Sequence, residues 1–170
     1  MASSPLTEIF FIRHGIAAQR GTYANDDQRP LTDKGRSRTT AVAQRLVELG
    51  CHVEILLTSP LVRAQETAAI LLEANLAPTL ETVDLLAPGG HLNDWLPWLT
   101  DWQTAHPVSR VALVGHEPDL SSWAQLLVEG ETRDRWRLKK AGVMGIEVPV
   151  AKEAIGQSTL FWFTPPRFLL

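Results

Sequence analysis

The chain of 170 residues contains a single cysteine, Cys51. One thiol excludes an intramolecular disulfide framework and any zinc site built from several cysteines, and such usage fits a reducing, cytoplasmic compartment. Long hydrophobic runs are missing too. None approaches the roughly 18 apolar residues of a membrane-spanning helix, so no membrane association is expected. The segment Met1 to Glu8 carries neither a basic region nor an extended apolar stretch, which speaks against a signal peptide. Positive charge is not in excess: 16 Lys and Arg face 19 Asp and Glu, for a formal net charge of −3. So little basic surface invites no nucleic-acid partner. Three ligand signatures are absent as well. There is no GxxxxGK[ST] loop, Gly89-Gly90 lacks the dinucleotide fingerprint, and Gly115-His116-Glu117-Pro118-Asp119 does not fit HExxH.

What is present is an ordinary globular composition. Apolar residues make up 45% and charged residues 21%, which argues against disorder and suits one domain over 1–170. Ile9-Phe10-Phe11-Ile12 is long enough for a buried strand, placed at 9–13. The polar, aperiodic stretch from Ala17 to Pro30 reads as a long loop, and loops of that length are commonly functional. Thr32 suits the N-cap of a helix over 33–49, with Val42, Leu46 and Leu49 at helical spacing and Gly50 at its end. Val53, Ile55, Leu56 and Leu57 give a second strand, and Pro60 leads into a helix over 61–73. A short strand at 79–83 and a turn at 87–90 follow. Leu92, Trp95, Leu96, Leu99 and Trp102 then space like a helix face, and Pro97 within it predicts a kink or two short helices. Residues 110–114 form a strand, 118–128 a helix, and 143–148 and 160–163 two final strands. Residues 131–139 favour no element, and 1–8 and 165–170 read as loosely structured ends. The alternation predicts an α/β fold: a three-layer α/β/α sandwich on a mostly parallel, mixed central sheet, with an antiparallel edge from the last two strands.

Three polar clusters stand where strands give way to loops or helices, the place where α/β sheets bind ligands, and a fourth lies just before the first long helix. Arg13-His14-Gly15 ends the first strand. A neutral imidazole is a capable nucleophile for phosphorus, and Gly15 lets backbone approach a ligand. Thr58-Ser59-Pro60-Leu61-Val62-Arg63 follows the second strand and opens a helix, whose N-terminus favours an anion. Arginine is not what the helix dipole selects there, so Arg63 points to a specific anion partner, which its planar fork suits. Ser59 is open between binding the anion and capping the helix. Glu66 and Thr67, one turn on, are open between orienting Arg63 and facing solvent. Gly115-His116 ends another strand, where an imidazole can stabilise charge on phosphate oxygens. Arg29, in Arg29-Pro30-Leu31-Thr32, is open between the same pocket and a solvated loop. Two histidines among arginines favour a bound anion over a metal, which the arginines would repel; no metal and no cofactor are expected.

The Arg-His-Gly at 13–15, the Ser-Pro-x-x-Arg-Ala-x-x-Thr at 59–67 and Gly115-His116 together resemble the histidine phosphatase superfamily, also called phosphoglycerate-mutase-like. The shortness of the chain and Arg29-Pro30-Leu31-Thr32 narrow the resemblance to the SixA-type phosphohistidine phosphatases, over residues 9 to about 164. It implies that His14 is the nucleophile, transiently phosphorylated, with Arg13, Arg63 and His116 forming the phosphate pocket and Arg29 and Ser59 at its rim. The implied partner is a phosphohistidine-containing protein, a histidine phosphotransfer domain being one candidate. Many relatives use a carboxylic acid to protonate a leaving oxygen. Glu81 and Asp84 lie in that region without matching the larger members' motif. A phosphoramidate tolerates such a lack, because its N–P bond is labile once the ring nitrogen is protonated. Two alternatives stay open: a small-molecule phosphomonoesterase dependent on Glu81 or Asp84, and a phosphoprotein-binding module without hydrolysis. The Trp-rich segment 92–102 reads mainly as packing. Oligomeric state is not legible, with a monomer slightly favoured.

Overall fold

The structure is a computed structural model that describes residues 4–170. Its centre is a six-stranded sheet in the order β3-β2-β4-β1-β5-β6. The strands are β1 (Leu6–Arg13), β2 (Ile55–Thr58), β3 (Leu80–Thr82), β4 (Val108–Gly115), β5 (Val143–Val148) and β6 (Thr159–Thr164). Strands β1 to β4 are parallel, and β5 and β6 run antiparallel at one edge. The helices are α1 (Asp33–Glu48), α2 (Val62–Glu73), α3 (Leu92–Ala105) and α4 (Asp119–Glu129).

Alternation along the strands explains the layers, since successive side chains point to opposite faces. Ile9, Phe11, Ile55, Leu57, Val111 and Leu113 share one core with Trp95 and Leu99 of α3 and Leu120, Trp123 and Leu127 of α4. Phe10, Ile12, Leu56, Ala112 and Val114 face the other way, onto Val42 and Leu46 of α1 and Ala64, Ala68 and Leu71 of α2. Both faces of the parallel strands are covered, which is why these strands read as unbroken apolar runs. The expected three-layer α/β/α sandwich with a mixed sheet is the observed architecture.

Two local expectations need correction, and one open alternative is decided. Residues 6–8 are not a loose start, since β1 begins at Leu6, paired with Val108. Thr7 is fully buried and accepts from Gln103 Nε2 at 3.1 Å, and Glu8 pairs with Arg110 at 2.6 Å. Polar side chains with their own partners hid the first turn of the strand. Met1 to Ser3 lie outside the described residues. At the other end, 165–170 is not loose either. A 3-10 turn spans Pro166–Phe168, and Leu169 packs into the core beneath α1 and α2. Of the two outcomes that Pro97 left open, two short helices are not found: α3 is one helix of 14 residues containing Pro97.

Candidate active site

Parallel pairing brings the carboxyl ends of β1, β2 and β4 to one edge. Arg13 stands opposite Gly115 and Thr58 opposite Val114. The ladder continues one step into the loops, where the N–H of His14 donates to Gly115 O at 3.1 Å and that of Ser59 to Val114 O at 3.0 Å. Residues 13–14, 58–59 and 115–116 are therefore held by main chain before any side chain acts.

His14 and His116 lie with ring centroids 5.2 Å apart, and both are buried. His14 Nδ1 is 2.7 Å from Gly15 O. A carbonyl only accepts, so Nδ1 carries the proton and Nε2 carries the lone pair. Burial above all, then the nearby His116, Arg63 and Arg13, push the His14 pKa down to about 2, against the partly restoring bond to Gly15. The ring is thus neutral across the physiological range. His116 is lowered to about 4, again by burial first and then by Arg63, Arg13 and Arg29. Its Nε2 is 2.7 Å from Ser59 Oγ, which also accepts from Leu61 N at 3.2 Å. With that amide on one lone pair, the Ser59 proton is available to His116 Nε2. When Ser59 donates to Nε2, the proton of His116 sits on Nδ1, which has no partner in the protein.

The arginines converge through a carboxylate that the sequence did not single out. Asp26 Oδ1 accepts from Arg29 Nε at 2.9 Å, and its Oδ2 lies 3.3 Å from Arg63 NH2. The Arg63 NH1 also donates to the Asp26 carbonyl at 3.0 Å. Asp26 thereby pins the long loop to α2, and the Arg29 bond, more than anything else, holds its carboxyl below the usual range. Arg29 is buried, so it belongs to this cluster and not to a solvated loop. Arg13 donates through NH1 to Leu138 O at 2.9 Å. Burial lowers the pKa of both Arg13 and Arg63 from the ordinary value.

Glu66 and Thr67 neither orient the Arg63 fork nor face solvent. Thr67 Oγ1 donates to Arg63 O at 2.7 Å and accepts from Gly15 N at 3.0 Å, locking the His14 turn onto α2. Glu66 accepts from Leu31 N at 2.7 Å and pairs with Arg36. Gly15 is needed for contact: a Cβ there would meet Thr39 Oγ1 at 2.4 Å. Glu81 lies in β3 and Asp84 in the turn that follows; both are exposed.

The buried polar atoms without a partner are concentrated here. They include Arg13 Nε, Arg63 Nε and His116 Nδ1. A buried donor left unpaired costs about 1–3 kcal/mol, and an oxyanion supplies the missing acceptors. Among the described residues, no three His, Cys, Asp or Glu side chains cluster so as to hold a metal ion. Two cationic forks, an imidazole donor and a neutral imidazole with a free nitrogen define the class: an α/β protein with a phosphoryl-binding pocket at the carboxyl edge of its sheet.

Comparison with known proteins is consistent with that class. The model of the histidine phosphatase superfamily (branch 1) matches residues 9–86. An uncharacterized protein of a Picosynechococcus strain is 48% identical over 164 residues, covering 96% of this chain and 99% of the relative. A solved structure of the protein histidine phosphatase SixA complexed with tungstate superimposes with a TM-score of 0.82 at 26% identity, covering 96% of this chain and 99% of that one. A serine/threonine-protein phosphatase, Pgam5, of Drosophila grimshawi is 45% identical over 64 residues, which is 38% of this chain and 22% of the relative. The chain belongs to the histidine phosphatase superfamily, in its SixA-like branch. Family and fold together support a phosphatase activity of the histidine-phosphatase type.

Proposed function

We propose that the protein is a phosphohistidine phosphatase acting on a partner protein through a covalent phospho-His14, without a metal ion. One observation carries this reading: three unpaired buried donors, on Arg13, Arg63 and His116, surround a neutral imidazole whose Nε2 is free. In the first step His14 Nε2 attacks phosphorus as the substrate's N–P bond breaks. The departing imidazole keeps the proton it carried in its activated form. Arg13, Arg63 and His116 Nδ1–H bind the equatorial oxygens as charge accumulates on them. Water then attacks phospho-His14, its N–P bond breaks, and inorganic phosphate leaves. The arginines supply the positive charge that a metal supplies elsewhere.

The choice of substrate rests on leaving-group chemistry. Glu81 and Asp84 are exposed and bond to none of His14, Arg13, Arg63 and His116, and the Asp26 carboxylate is engaged by Arg29 and Arg63, so neither of the two carboxylates in the expected segment is poised for an alkoxide. A protonated phosphohistidine needs none. Tungstate, a tetrahedral oxyanion, is bound in a solved structure of a SixA protein similar to this chain, and the same shape suits this pocket.

The test compares phosphate release from a phosphohistidine protein and from a simple phosphomonoester, using wild-type protein and His14→Ala. Hydrolysis of the phosphohistidine protein should dominate and vanish in the variant. Arg63→Lys, which loses the planar fork, should lower kcat by about 10²–10³-fold. Activity surviving in His14→Ala would sink the nucleophile, and a clear preference for the monoester would sink the substrate.

A further inference from the structure

A second cavity of about 520 Å³ adjoins the site, and its wall includes Arg13. Four further cations line it: Arg38 of α1, Lys139 and Lys140 of the turn before β5, and Arg167 of the C-terminal turn. No acidic residue lines it. Among the described residues, Arg38, Lys139, Lys140 and Arg167 form no salt bridge with a carboxylate, whereas Arg29, Arg36, Arg45, Arg63, Arg110 and Arg133 all do. This concentration occurs in a chain whose net charge is −3, so it is not a by-product of an overall basic surface. The floor is apolar, built by Ile16 and Pro165.

The cavity is tied to the reacting group by main chain. Ala141 N donates to Arg13 O at 3.0 Å and lies 3.2 Å from His14 O. The turn bearing Lys139 and Lys140 is thus fastened directly behind the nucleophile. Lys140 also feels the phosphate site: burial chiefly, then Arg13, Arg29, Arg20 and Arg63, lower its pKa. Arg13 belongs to both the phosphate site and this cavity, and the other cations reach it from separate segments of the chain. A single small anion would be gripped at one spot, whereas a row of carboxylates on an extended backbone meets all of them.

We propose that this basic cavity docks an acidic segment of the substrate protein, next to the residue whose phosphoryl group enters the His14 site. It rests on the phosphohistidine reading for its substrate but not for its binding, and the two are separable. The surface selects among phosphoproteins by the carboxylates that flank the phosphorylated histidine. It gives the specificity that a small, open phosphate pocket cannot give by itself.

The experiment has a binding arm and a kinetic arm, each with wild-type protein and Arg38→Ala/Arg167→Ala. Neither residue touches the proposed reacting groups. In the binding arm, a fluorescein-labelled, unphosphorylated oligoglutamate peptide is titrated by polarisation. Binding should weaken with salt and fall about tenfold in the double variant, as expected for two partly exposed charges at low ionic strength. In the kinetic arm, phosphohistidine peptides with glutamate or with serine flanks are hydrolysed. The variant should raise KM about tenfold for the acidic peptide alone, with kcat unchanged. Equal KM changes for both peptides, or no loss of oligoglutamate binding, would overturn the docking surface. So would tighter binding of a single-stranded oligonucleotide than of oligoglutamate. Oligoglutamate binding that depends on Arg38 and Arg167, without any phosphohistidine hydrolysis, would keep the surface and remove the proposed reaction.

Discussion

Ser59 illustrates how much one side chain decides. Its hydroxyl takes the Leu61 amide at 3.2 Å and meets His116 Nε2 at 2.7 Å. It therefore selects which His116 nitrogen keeps the proton that faces a phosphoryl oxygen. Ser59→Ala should lower kcat/KM about tenfold, the value of one such hydrogen bond. Ring ¹⁵N shifts of His116 should at the same time move from a single tautomer toward a mixture. An unchanged ring spectrum in the variant would remove the positioning role. The placement of His14, Arg13, Arg63 and His116 at one sheet edge was legible in the sequence, because each lies at or just beyond the end of an apolar run that had to be a strand. Asp26 was not. It sits in an aperiodic loop, and nothing local announces that its carboxylate joins Arg29 to Arg63, the latter 37 residues from Asp26 itself.

At the level of elements, α2 is the bracket of the site. Its first turn carries Arg63, its second carries Glu66 and Thr67, and these reach the 17–31 loop and the His14 turn. Thr67→Val keeps the shape and removes the acceptor of the Gly15 amide. Urea unfolding should show a loss of about 1–3 kcal/mol with an unchanged m-value, the cost of a buried N–H left unpaired. A loss well below that range would mean that the Gly15 amide finds another acceptor. Helix α2 itself was readable from Pro60 and the apolar spacing that follows. The start of β1 was not, and Pro97 left the continuity of α3 undecided. Thr7 is stabilised inside the strand by a distant partner, Gln103, which no local pattern reveals. In α3, packing of Trp95 and Leu99 into the core outweighs the bond that Pro97 cannot make.

Across the whole molecule, two buried neutral histidines make stability depend on pH. Both are held below the unfolded value near 6.5, His116 at about 4 and His14 at about 2. Between those values and about 6.5 the unfolded chain binds more protons, so their contribution is complete above 6.5 and is lost as pH falls. Each should withdraw about 2 kcal/mol by pH 4.5. Melting temperatures measured from pH 7.5 to 4.5 should decline, and less steeply in His14→Ala than in the wild type. A parallel decline in both would place the acid sensitivity elsewhere. The architecture was legible because buried parallel strands leave unbroken apolar runs. The strand order was not, since it depends on pairings between distant segments.

That order has a consequence for the birth of the protein. The strand carrying His116, β4, is inserted between those that deliver His14 and Ser59, and β1 pairs only with β4 and β5. A nascent chain that already displays Arg13, His14 and Arg63 has no sheet to join them until residues beyond Val108 emerge. Truncated or stalled products accordingly carry Arg13, Arg29 and Arg63 without the sheet edge that brings them together.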